Sequence, residues 1–147
     1  MDLSQKEPNK RVLILDDEED VLDFLKIYLG SLGWETTLAS STNEAFAHLE
    51  TTKFFLVITD IAMPEMDGYE FIGKLKDKTI PSQVLLMTGF GYNPKHTLVK
   101  IYKTSRYTCL FKPFNRVKLT EAVQDAYNAY HAPYDIVKQD EPQDQPS

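Results

Sequence analysis

Five short apolar runs alternate with segments of helical spacing along residues 11–130, and no two of either kind are adjacent. The runs are Arg11–Leu15, Glu35–Ala39, Phe54–Thr59, Gln83–Thr88 and Thr108–Phe111, too short for helices and rich in apolar and β-branched residues. Between and after them the spacing predicts helices over about 18–31, 42–51, 67–77, 94–105 and 116–130. A parallel strand pair needs a long return path, and that crossover is right-handed. Five βα units in this length therefore dictate an α/β fold, a doubly wound sandwich with helices on both faces of a parallel sheet.

Local signals agree. Val21, Leu25, Tyr28, Leu29 and Leu32 fall on one stripe of the first helix, as expected for a helix lying on a sheet. Ser41 and Glu44 form a capping-box pattern, and Asn93 followed by Pro94 suits a cap and first-turn residue. The 147 residues, 42% hydrophobic and 26% charged, suit one domain. Its expected limits are 10–131, after a flexible segment 1–9 and before a tail 132–147. The tail sets four acids against Lys138 among prolines and glutamines, a composition expected to be disordered. The longest apolar run, Phe54–Ile58, is too short to span a membrane, and the polar start lacks a signal-peptide core. The lone Cys109 offers neither a disulfide nor metal-ligand spacing, so a reducing, cytoplasmic setting is expected.

In open α/β sheets, sites form beyond the carboxyl ends of the strands. There the chain places its unusual residues: Asp16 and Asp17 after the first run, Asp60 after the third, Thr88 ending the fourth and Lys112 after the fifth. Carboxylates brought together repel by about 4 kcal/mol per pair at 4 Å and an effective dielectric of 20, so they share protons or hold a cation. A set of oxygen ligands with no His or Cys selects a hard divalent ion, and with a phosphate group nearby Mg²⁺ fits. With phosphoryl charge neutralised and Lys112 pairing its oxygens, Asp60 is placed to act as a carboxylate nucleophile and become an aspartyl phosphate. The Thr88 hydroxyl would then sense the new charge.

The segments "LILDDEEDV", "ITDIAMPEMDG", "LLMTG" and "FKPF" together resemble the receiver domain of two-component signalling, over about Lys10 to His131. The resemblance implies a flavodoxin-like sheet in the order 2-1-3-4-5 and a cis proline after Lys112. It also implies Mg²⁺ held by Asp17, Asp60 and the main-chain carbonyl of Ala62, with Asp16 acting through water. The phosphoryl group would come from a sensor histidine kinase or a histidine phosphotransfer protein, and the domain would catalyse only its own phosphorylation. In this family an aromatic residue usually sits three places before the lysine; here that position is Cys109, with Tyr107 and Phe111 as imperfect substitutes. The residues two places after the acceptor and after the threonine are Ala62 and Phe90, neither able to orient a water, so no rapid built-in dephosphorylation is expected. The loop Gly89-Phe90-Gly91 is expected to carry the switch.

Between Asp77 and Glu121 there is no acid but eight basic residues, among them Lys100 and Lys103. This predicts a downstream protein partner with an acidic surface, with no direct nucleic-acid contact and no membrane insertion. Two other readings stand behind this one. A pseudo-receiver would bind partners without phosphorylation, but the complete set of Asp16, Asp17, Asp60, Thr88 and Lys112 argues against it. An aspartyl phosphohydrolase needs a second acid two residues after its nucleophile, where this chain has Ala62. Plainer roles are expected elsewhere: Glu18, Glu19 and Asp20 as first-turn residues favoured by the helix dipole, His48, His96 and His131 on the surface, Cys109 as a small buried hydrophobe, and Pro64 with Asp67 and Gly68 as turn chemistry.

Overall fold

Strands covered on both faces read as continuous apolar runs, because successive side chains point to opposite sides and both sides are buried. That is the arrangement of the three central strands in the computed structural model, which describes residues 8–61, 68–88 and 108–132. The elements are β1 (Arg11–Leu15), α1 (Glu19–Ser31), β2 (Glu35–Ala39), α2 (Thr42–Thr51), β3 (Leu56–Asp60), α3 (Gly68–Asp77), β4 (Gln83–Thr88), β5 (Thr108–Phe111) and a C-terminal helix, Arg116–His131. All strand pairs are parallel, in the order β2-β1-β3-β4-β5. The helix expected over 94–105 lies outside the described residues.

Strand parity divides the core in two. Leu13, Leu15, Val57 and Leu86 face one side with Ala45 of α2 and Phe71 and Leu75 of α3. Val12, Ile14, Ile58, Leu85 and Met87 face the other with Leu25 and Leu29 of α1 and Leu119 and Val123 of the C-terminal helix. No described helix is long and apolar enough to cross a membrane.

Three sequence expectations need correction. The third strand begins at Leu56, not Phe54; Phe54 and Phe55 are buried ahead of it, one in each half of the core, so their apolar character reflects packing at the entry to the strand. On α1 the buried positions are Leu22, Leu25 and Leu29, while Val21 and Tyr28 are partly buried and Leu32, past the end of the helix, is 45% exposed. The capping box at α2 is displaced by one residue. The Glu44 N–H donates to Ser41 Oγ at 3.2 Å, but the Glu44 carboxylate accepts from the Ser40 N–H at 2.7 Å.

α3 closes in a Schellman arrangement: the Thr79 N–H donates to the Lys76 carbonyl and the Ile80 N–H to that of Leu75, both at 3.0 Å. Thr79 occupies the left-handed position, φ 55°, where a β-branched side chain is unfavourable. Thr79→Gly should therefore stabilise the fold by about 0.5–1 kcal/mol. The midpoint of urea unfolding checks this; an unchanged or lowered midpoint would show that the turn bears no such strain.

At the amino edge of the sheet Asn9 joins three segments. Its N–H donates to His131 Nε2 at 2.9 Å, its side-chain amide donates to the Lys53 carbonyl at 3.0 Å, and its Oδ1 accepts from the Arg11 N–H at 2.9 Å. His131 Nδ1 lies 2.9 Å from the Tyr127 carbonyl. An amide N–H can only donate and a carbonyl can only accept, so in this pairing Nε2 serves as acceptor and Nδ1 as donor.

Candidate functional site

At the opposite edge, parallel hydrogen bonding fixes the backbone beyond each strand end. The Asp16 N–H donates to the Ala39 carbonyl (3.2 Å), the Ile61 N–H to that of Met87 (2.9 Å) and the Lys112 N–H to that of Thr88 (2.8 Å). The register pairs Asp60 with Met87 and Thr88 with Phe111. Asp16, Asp17, Asp60, Thr88 and Lys112 therefore gather at one edge.

Lys112 organises the side chains. Its Nζ donates to Asp16 Oδ2 at 2.8 Å and to Asp60 Oδ2 at 3.0 Å, and Glu18 Oε1 lies 3.4 Å away. Asp16 and Asp60 are buried, whereas Asp17 is exposed. Burial pushes the Asp16 carboxyl up, opposed by the hydrogen bonds from Lys112 and the Glu18 N–H. Burial works against the charge on Lys112, but its bonds to Asp16 and Asp60 outweigh it and hold the ammonium above its ordinary range. The Thr88 hydroxyl is buried and has no hydrogen-bond partner among the described residues. Such an atom costs free energy unless something supplies a partner.

Carboxylate oxygens of Asp16, Asp17 and Asp60 all lie within 4.8 Å of one another. Two oxygens on a hard cation at about 2.1 Å stand at most about 4.2 Å apart, so small side-chain adjustments would let the three surround one ion. The donor set suits such a cation: oxygen ligands, an excess of negative charge and two members already buried.

Other expected positions fall elsewhere. Ala62, Phe90, Lys100, Lys103 and Tyr107 lie outside the described residues. Cys109 is buried in the α2 and α3 half of the core. Phe111 is 59% exposed, so it does not fill an inward aromatic position. The Lys112–Pro113 peptide is cis. Glu18, read from sequence as a first-turn residue, is instead the N-cap of α1 and reaches Lys112; lying two residues from Asp16 in an unbroken acidic run was its one signal.

A family model of the response regulator receiver domain matches residues 12–124. The chain belongs to that family. This receiver is 30% identical over 115 residues to the transcriptional regulatory protein FixJ of Bradyrhizobium diazoefficiens, covering 78% of this chain and 55% of FixJ. It thus spans about half of that relative's length. It is 37% identical over 117 residues to an uncharacterized 14.6 kDa protein of Leptolyngbya boryana, covering 77% of this chain and 86% of that one. Among solved structures, a CheY-like response regulator receiver domain protein of Methanospirillum hungatei superposes with a TM-score of 0.76 at 27% identity, covering 85% of this receiver and 98% of that chain. The fold is that of receiver domains, the signalling modules of two-component systems.

Proposed function

We propose that this receiver accepts a phosphoryl group on Asp60 in a Mg²⁺-dependent reaction and thereby switches binding to a protein partner. The observation that carries the reading is the buried Thr88 hydroxyl, which has no hydrogen-bond partner among the described residues and stands one residue beyond the rung that pairs β4 with Asp60, an aspartate already bonded to Lys112. A phosphoryl oxygen on Asp60 would give that hydroxyl its acceptor.

Asp17, Asp60 and the Ala62 carbonyl would hold Mg²⁺, with Asp16 acting through water; when bound, the ion offsets phosphoryl charge. The remaining work falls to the chain. An Asp60 carboxylate oxygen forms a P–O bond as the donor's P–N bond breaks. The bonding pair returns to the donor imidazole, which leaves neutral when its other nitrogen carries a proton. Lys112 shifts its donors toward the transferred oxygens, and Thr88 closes on one of them. The donor would be a sensor histidine kinase or a histidine phosphotransfer protein. The acid-free, basic stretch that holds Lys100 and Lys103 supports an acidic surface on the downstream partner.

Incubation with Mg²⁺ and acetyl phosphate, followed by mass-spectrometric localisation, should place one phosphate on Asp60. Acid-stable label on Ser, Thr or His would overturn the assignment, and an unlabelled chain would favour an interaction module that works without phosphorylation.

A further inference from the structure

Glu18 stands at the N-cap of α1, yet its side chain makes no capping hydrogen bond; its Oε1 lies 3.4 Å from Lys112 Nζ. The three carboxylates on Lys112 differ in access. The side chains of Asp16 and Asp60 are 0% and 8% exposed, and that of Glu18 is 62% exposed. Glu18 is the outermost, with its charge on the solvent side of the ammonium. Among the described residues, Lys112 meets the carboxylates of Asp16, Glu18 and Asp60, and Asp17 lies within 4.8 Å of those of Asp16 and Asp60, a formal excess of three negative charges over the one ammonium. A divalent cation would leave one negative charge, and removal of Glu18 would leave none.

We infer that Glu18 is a positioning residue that sets phosphodonor selectivity: it shares Lys112 at the mouth of the site and disfavours strongly anionic free donors relative to less charged ones. The inference rests on Asp60 as the acceptor. Coulomb energy scales with the charge of the incoming group, so the penalty from Glu18 should grow with the charge of the donor and fade as salt screens it. A merely solvated helix-start residue would affect all donors alike.

The test compares two small donors on the full chain, each variant held at Mg²⁺ saturation set by calorimetry. Acetyl phosphate is dianionic near neutral pH; its P–O bond breaks and acetate leaves with the electron pair as Asp60 forms the new P–O bond. Phosphoramidate carries one net negative charge; its P–N bond breaks and the nitrogen leaves as ammonia with its pair and three protons. In low salt, Glu18→Gln should speed labelling by acetyl phosphate about fourfold and by phosphoramidate about twofold, a gap that closes in high salt. Glu18→Asp, which keeps the charge, should keep the wild-type ratio between donors. Equal changes for both donors, no change, or a gap insensitive to salt would overturn the role of Glu18 while leaving Asp60 as acceptor. A wild-type chain labelled by neither donor would overturn the Asp60 reading, and this inference with it.

Discussion

Asp60→Asn should reduce phosphoryl labelling at least about a hundredfold, to background, while making the cation-free protein more stable. The first effect follows from removing the carboxylate nucleophile. The second follows from the surroundings. Asp60 faces the carboxylates of Asp16 and Asp17 within 4.8 Å, with Glu18 nearby, against the one ammonium of Lys112. An Asn oxygen can still accept from Lys112, so the hydrogen bond survives while the repulsion falls. Attraction to Lys112 is lost as well, and the partial cancellation leaves a net gain of about 1 kcal/mol. Urea unfolding with a chelator and again with Mg²⁺ should show the variant above wild type in the first case and a smaller Mg²⁺ response in the second. Labelling that survives the substitution would remove Asp60 as acceptor, and a variant less stable in chelator would show that repulsion does not govern this edge.

Lys112→Met should have the largest effect on stability. Methionine roughly keeps the length of the side chain but leaves Asp16, fully buried, and Asp60 without their shared cation. Breaking a buried ion pair from one side costs about 3–5 kcal/mol, because the remaining charge stays out of water. Two recoveries follow. Millimolar Mg²⁺ should restore part of the loss, and so should a second substitution, Asp16→Asn. A loss below about 1 kcal/mol in chelator would mean that Lys112 is not what holds these acids in place.

The residues differ in how far sequence exposed their roles. β1 and β4 coincide with their apolar runs because a strand buried on both faces admits few polar residues, whereas the edge strand β2, mostly half-buried, was marked by its β-branched Thr36 and Thr37. The gathering of Asp16, Asp60, Thr88 and Lys112 was legible because each stands at a strand end and topology sends those ends to one edge. Leu22 was harder: Val21 and Leu22 are adjacent and both apolar, so either could lead the stripe, and the choice depends on how the helix rolls against the sheet. The contact between Glu18 and Lys112 spans 94 positions, and nothing in local spacing separates a carboxylate that points to solvent from one that bends toward a lysine.

The bond between Asn9 and His131 has a consequence for the shape of the chain as a path. These residues are 122 positions apart, yet the chain returns, at the end of its last described helix, to within one N–H···N contact of its entry to β1. The domain is thus a nearly closed circuit, joined at the edge of the sheet farthest from the acidic cluster. A circuit of this kind is indifferent to what is spliced in at its join. Set within a longer polypeptide, it would receive and return the chain at one place, with little strain on the strands or on the carboxylates at their far ends.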